Sequence, residues 1–265
     1  MKRFWKLFIV LFLVMGLAYP AAADTLNKII QRGELRVAVQ TQGPPFSFVD
    51  KNGKRTGSSV ELCRMIAKEM GVKIKFLDYD WDGLIPALLS KKADFLAADM
   101  TATLKRALKV SFTVPFYETK TILFTKKGNA SKFKTLADCN KKGVRVAVLL
   151  GSSGETDAKR NLPNADIKPY KGGGPLLINA VISGKADVGV NDESAVKGQM
   201  GNFPPNSIEI LPITLSAQPL SFAVRPEDTH LLQWLNLFFY WIKHDGRLKK
   251  NLDYWVNTQR WRKDH

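Results

Sequence analysis

Arg106 closes the stretch Thr103-Leu104-Lys105-Arg106, and its guanidinium is a planar fork that matches a carboxylate bidentately. The plainer role is one more surface cation beside Lys105 and Lys109. Gly151-Ser152-Ser153-Gly154 follows an apolar run and opens a helical stretch. Backbone N–H groups and the helix dipole favour an anion at such a place, and Ser152 and Ser153 add hydroxyl donors. A loop of this kind is common as a simple strand-to-helix turn, so alone it says little. Two acids, Asp99 and Asp192, end two similar segments. A pair of carboxylates facing one cleft suits a cationic or ammonium-bearing ligand. Their alternative is to cap helices expected over 101–108 and 193–200. No nucleophile–base constellation is evident. His230, His244 and His265 all fall in the C-terminal segment, where surface positions at helix ends are expected. With 3 His and 2 Cys, a His/Cys metal site is not expected, and no cofactor is implied.

The two acids belong to an internal repeat. LIPALLSKKADFLAAD at 84–99 and LINAVISGKADVGVND at 177–192 share Leu, Ile, Ala, Ser, Lys, Ala, Asp and the final Asp in register. Each copy reads as a helix, a tight KAD turn and a strand. A single repeat so widely spaced is no solenoid and points to two similar lobes. The surrounding pattern agrees. Leu35, Val37 and Val39 alternate as a strand, and Val60, Cys63, Ile66, Ala67 and Met70 keep helical spacing up to Gly71. Val72, Ile74 and Phe76 make the next strand, and 83–91 a helix with Pro86 in its first turn. Residues 95–98 form a short buried strand, and the apolar run 144–150 suits a parallel strand covered on both faces. Alternating strands and helices predict an α/β fold with largely parallel sheets. In such sheets ligands bind beyond the carboxyl ends of the strands, where Asp99 and Asp192 stand.

The chain has 265 residues, 45% hydrophobic and 24% charged, enough apolar content to bury a core and to exclude disorder. Its 19 Gly have no period and its 2 Cys cannot staple a small domain, so collagen-like and disulfide-scaffold classes are excluded. Cys63 and Cys139 are able to pair in an oxidising compartment, but Cys63 sits on the apolar face of its helix, where a buried free thiol is expected. The net charge is +16, spread over separate segments with no interleaved stacking aromatics. Nucleic-acid binding is therefore not expected, although a basic surface favours anionic membrane faces. Lys2, Arg3 and Lys6, the apolar run Leu7 to Leu17, and Ala21-Ala22-Ala23 read as a secretory signal peptide over 1–23, cleaved near Ala23. The run is shorter than the roughly 20 residues of a membrane span, and no Cys follows it for a lipid anchor. Export to the periplasm follows as the expectation.

The sequence resembles the periplasmic solute-binding proteins of polar amino-acid ABC importers, family 3. The resemblance is carried in order by GELRVAVQTQGPPFSFVDKNGKRTG at 33–57, WDGLIPALLSKKADF at 81–95, MTATLKRALKVSFTVPFY at 100–117, VRVAVLLGSSGETDAKR at 144–160 and GKADVGVND at 184–192. It implies a two-lobed type II periplasmic-binding-protein fold with two hinge crossings. Lobe 1 would hold 24–121 and 218–265, and lobe 2 would hold 122–217. It implies that Arg106 grips the ligand α-carboxylate with help from Thr101 and the Ser152–Ser153 loop. Asp192 would pair with the α-ammonium, and Trp81 would pack on the ligand side chain, although core packing suits Trp81 as well. Phe46 and Phe48 would line the pocket or the core. Three positions depart from the pattern. Gly43 stands where an aromatic is common, Gln40 where Lys- or Arg-selecting members have an acid, and Asp99 where Gly or Ser is common.

The resemblance implies a monomer that captures an amino acid and delivers it to an inner-membrane ABC permease, without being an enzyme. One alternative is a dehydratase, since relatives with this fold act on cyclohexadienyl acids; Glu155 and Glu193 would be its candidate general acids. The other is a free-standing ligand-sensing domain, which a helix over 231–243 with Leu232, Leu235, Phe239 and Ile242 on one face gives no partner surface to support.

Overall fold

The computed structural model describes residues 24–265, so the expected signal peptide lies outside the described residues. Asp24 Oδ1 accepts from Asn27 N at 2.8 Å and starts helix α1 (Thr25–Arg32). The first half of the fold then runs β1 (Glu34–Gln40), α2 (Ser58–Glu69), β2 (Lys73–Tyr79), α3 (Leu84–Leu89), β3 (Phe95–Thr101) and the short α4 (Leu104–Ala107). A long strand, β4 (Tyr117–Lys126), leads into the second half. That half contains β5 (Arg145–Leu149), α5 (Ser153–Asn161), β6 (Asp166–Tyr170), α6 (Pro175–Ile182), β7 (Val188–Asp192) and α7 (Glu193–Gln199). β8 (Ile208–Val224) returns, followed by α8 (Thr229–His244) and, at the end, α9 (Trp261–Asp264).

Nine strands form one sheet in the order β6-β5-β7-β4-β8-β3-β1-β2, with Ser111–Phe112 paired to β8. Pairing is parallel within each wing, as between β1 and its neighbours β2 and β3, and between β5 and its neighbours β6 and β7. The centre is antiparallel, where β4 and β8 run against each other from Tyr117–Leu220 to Lys126–Ile208. The sheets expected from the alternating pattern are therefore joined into one by these two long strands. Pro212 falls where the β8 register breaks, between Ile210 and Thr214, the tolerated place for a residue that cannot donate to the ladder.

The KAD repeat has a structural explanation. In the first half Asp94 accepts from Arg36 N at 2.7 Å and Arg36 Nη2 at 2.9 Å; in the second, Asp187 accepts from Arg145 N at 2.9 Å and Arg145 Nη2 at 2.7 Å. Each turn is thereby tied to the first strand of its half, so β3 and β7 end at corresponding heights.

Buried side chains segregate in the same way. One large cluster joins Leu35, Val37, Phe95 and Phe222 to Leu235 and Phe239 of α8, with Phe222 stacked at 5.7 Å on Phe95 and edge-on at 5.2 Å to Phe239. Phe46 and Phe48 belong to this core. Separate clusters around Phe124, Leu177 and Ile178, and around Val146, Val148 and Leu162, fill the second half. α8 buries Leu231, Leu235, Phe238, Phe239 and Ile242, adding Leu231 and Phe238 to the expected face, while Leu232 is half-buried. Of the helix expected over 83–91, α3 covers Leu84–Leu89; it follows a 3-10 turn at Trp81–Gly83 and ends before Lys91, whose φ is +60°.

Candidate functional site

The carboxyl ends of β3 and β7 and the start of α5 meet at the middle of the sheet, where Gln40, Trp81, Asp99, Ser152, Ser153, Asp192, Ala195 and Gln199 surround a cavity of about 20 Å³. That is room for about one water, so a larger guest requires the walls to move apart. A larger cavity of about 320 Å³ lies elsewhere, between Lys28, Arg36, Lys91 and Arg225, at the end of the first wing where the strands begin. Of its four acids, Asp94 and Asp228 are already paired with Arg36 and Arg225.

Arg106 stands on α4, whose first turn Thr103 caps by accepting from Arg106 N at 3.3 Å. The guanidinium spans the two walls. Nη1 donates to Thr101 O at 2.8 Å and Nη2 to Gly151 O at 3.0 Å, while Cζ lies 5.3 Å from the Trp81 ring centroid. A second bond crosses beside it, between Thr101 Oγ1 and Ser153 Oγ at 3.1 Å. Trp81 crosses too: its side chain packs against the cores of both halves, and its backbone N–H donates to Gly172 O at 3.3 Å. Burial brings the Arg106 pKa down to about 10 against the opposing charge of Asp192, so the group stays cationic at neutral pH.

Asp99 is buried within β3, at φ +45°, a conformation uncommon for a residue other than glycine. It caps no helix: α4 starts later than expected and takes Thr103 as its cap. Asp99 Oδ1 has no hydrogen-bond partner in the protein. Burial, reinforced by the charge of Asp192, holds its carboxyl well above the usual range. Asp192 occupies the cap position of α7, but its side chain makes no capping bond and remains available to the cavity. Burial pushes it up to about 7, with Arg106 opposing and Asp157 adding to the rise. Asp157 is itself anchored on the central strand β8 through Ser216 and through Gln218 Nε2 at 2.9 Å.

The Gly151–Gly154 loop is less open than its sequence suggests. Gly151 N donates to Glu155 Oε2 at 2.6 Å, Ser152 N to Leu149 O at 3.0 Å, and Ser152 Oγ accepts from Glu155 N at 3.0 Å. Ser152 is thus a helix cap with its O–H still to give, and the Ser153 hydroxyl faces Thr101. Glu155 is tied to Lys159 at 2.6 Å, and Glu193 to Lys197 at 2.6 Å. For Glu155 the hydrogen bonds from Lys159 and Gly151 outweigh burial, so its pKa falls, the wrong direction for a proton donor. The histidines are away from the cavity: His230 and His244 are exposed, and His265 stacks at 5.1 Å on Trp255 and faces Asp50. Among the described residues no group of three His, Cys, Asp or Glu is arranged to hold a metal.

Sequence reasoning singled out neither Gln199 nor Ala195. Their signal was the spacing from Asp192: positions i, i+3 and i+7 share one helix face. Arg262 was also missed. Its Nη2 donates to Lys197 O at 2.8 Å and Gly198 O at 2.7 Å, joining the C-terminal α9 to the last turn of α7.

The family model described as bacterial extracellular solute-binding proteins, family 3, matches residues 35–258. The L-cystine-binding protein of Escherichia coli K12 is 29% identical over 248 residues, 93% of this chain and 92% of its own length. The crystal structure of an ancestral amino acid-binding protein, a precursor of cyclohexadienyl dehydratase, superposes with a TM-score of 0.82 at 37% identity, over 88% of this chain and 100% of that one. An ancestral arginine-binding protein bound to arginine superposes with a TM-score of 0.78 at 34% identity, over 84% and 98% of the two chains. Among the described residues no helix is long and apolar enough to cross a membrane.

Proposed function

This chain belongs to the family 3 bacterial extracellular solute-binding proteins, and from that premise we propose that it captures an amino acid between its two halves and delivers it to an ABC permease of the inner membrane. The supporting observation is Arg106, held between Thr101 O and Gly151 O beside the buried carboxylates Asp99 and Asp192. A zwitterion fits that arrangement. Its carboxylate takes over the guanidinium with the hydroxyls of Thr101, Ser152 and Ser153, and its ammonium meets Asp192 and Asp99. The Trp81 ring stands beside the grip, its centroid 5.3 Å from Arg106 Cζ. Ligand contacts to both walls then favour the closed arrangement over an open one, with residues 24–121 and 218–265 as one rigid lobe and 122–217 as the other. The protein works as a monomer in the periplasm, reached through a signal peptide cleaved near Ala23.

The role is binding without chemistry. Glu155 and Glu193, the candidate acids for a dehydratase, are occupied by Lys159 and Lys197. Titration calorimetry and thermal shift against the twenty amino acids test the reading, and at least one is expected to give saturable heat and a raised melting temperature. Silence from all twenty and from cystine, or turnover of prephenate, would refute it.

A further inference from the structure

Asp192, Ala195 and Gln199 form a stripe along α7 that lines the cavity. Seven residues of α-helix rise about 10 Å, and helical side chains lean back toward the N-terminus, so the Gln199 amide reaches toward Asp192 from two turns away. Ala195 between them presents only a methyl group to the cavity. At one end of this stripe Asp99 Oδ1 has no protein partner; at the other, Gln199 Oε1 has none either, although Gln199 is 2% exposed. A buried acceptor left unpaired is destabilising, so two in one cavity mark groups that a ligand is built to satisfy.

The Gln199 amide is also held in place. A Cβ on Gly174 would lie 2.5 Å from both its Nε2 and its Oε1, so only glycine lets the amide stand there. The neighbouring Gly173 approaches Gln40 Nε2 from the same wall, and Gln40 lines the cavity opposite. Neither end of this amide pair carries a charge. It is suited to hydrogen bonds with a polar group and is a poor fit to a hydrocarbon end.

We propose that Gln199 is a specificity-determining residue that reads the far end of the ligand, and that this end carries N–H donors. The ligand class is then a long α-amino acid with a nitrogen-bearing terminus (amide, guanidinium or second amine). Short or purely aliphatic amino acids cannot satisfy Gln199 while their ammonium stays at Asp192. The inference rests on the amino-acid-binding reading above and adds the residue that selects the side chain.

Calorimetry on the mature protein tests it with arginine, lysine, glutamine and cystine on one side and norleucine and leucine on the other. Wild type is expected to bind at least one nitrogen-ended ligand ten times or more tightly than norleucine. Gln199→Leu should bring that ratio within threefold. Gly174→Ala, which displaces the amide without removing it, should reduce the ratio in the same direction. If Gln199→Leu does not fold, as judged by its melting curve, Gln199→Asn takes its place, because withdrawing the amide by one methylene should also reduce the ratio. An unchanged ratio in the folded variants overturns the proposal, as does a wild type that binds norleucine as tightly as every nitrogen-ended ligand. A wild type that binds no amino acid refutes the underlying reading before any variant is measured.

Discussion

Arg106 donates to the Gly151 carbonyl at 3.0 Å from across the cleft, so one side chain joins the end of β3 to the start of α5. The same guanidinium lies against Trp81. In the proposed binding mode a ligand carboxylate replaces these two carbonyl oxygens on the fork. Truncating the fork leaves that carboxylate buried and unpaired. Arg106→Ala should therefore cost ~2–5 kcal/mol of binding, read by calorimetry, while the melting curve of the free protein changes little. Arg106→Lys should recover only part of the loss, since an ammonium supplies the charge without the planar fork. Affinity near wild type in the alanine variant would place the site elsewhere.

Cys63 and Cys139 are both buried and free, and they belong to different cores: Cys63 packs with Leu62 and Ile66, Cys139 with Leu123 and Leu162. Burial raises the Cys63 thiol well above its usual value, and burial with the Asp138 charge pushes Cys139 up to about 11. Neither forms much thiolate at neutral pH, and the thiolate is the reactive form. A thiol reagent should give no signal from the native protein and two equivalents after unfolding in guanidinium. A bridged species in the intact mass of native protein would contradict the arrangement.

The repeat was legible because its constraint is local. Asp94 and Asp187 each tie a tight turn to an arginine at the start of a strand, and that job needs the same residues at the same spacing in both halves. For Arg106 the sequence left a grip and a surface cation side by side, and the structure places its guanidinium between Thr101 O and Gly151 O rather than in solvent. The long strand β8 was not foreseen from periodicity, because Pro212 and Pro219 interrupt a pattern that continues through a register break. Asp99 remained ambiguous between cap and cleft until the start of α4 was located. Gln199, despite its helical spacing from Asp192, and Arg262 were missed for a further reason. The Gln199 amide stands against Gly174 and the Arg262 guanidinium against Gly201, close approaches that belong to the packed halves and leave no trace in local composition.

Arg262 offers a separate handle on closure. It rides on α9, whose Trp261 packs against Phe48 at 4.8 Å, and it holds the last carbonyls of α7 in the other half. A cation at a helix C-terminus is favoured by the dipole as well as by the hydrogen bonds. Arg262→Ala removes bonds worth about 1.5–3 kcal/mol when charge-assisted, and these exist only while the halves are together. The variant should show a larger radius of gyration by small-angle scattering and roughly tenfold weaker ligand binding. Its melting temperature should fall little, because each half keeps its own core. Unchanged scattering and unchanged affinity together would show that the contact does not contribute to closure.

Asp192 makes binding and stability depend on pH in opposite senses. Its carboxyl is raised from 3.8 to about 7 by burial, so between those values the folded protein holds a proton that the unfolded chain releases. Stability from this group is therefore full below about pH 4, declines as pH rises toward 7 and is lost above it. Asp192→Asn should flatten that slope and raise the melting temperature of the free protein at pH 8. An ammonium, however, needs the ionised form. Wild-type affinity should weaken below pH 7, and at pH 6 binding should release a proton, visible as a binding enthalpy that changes with the ionisation heat of the buffer. In Asp192→Asn the affinity should be low at every pH and that buffer dependence should shrink. A wild type whose affinity is flat from pH 5 to pH 8 would mean that Asp192 does not hold the ammonium.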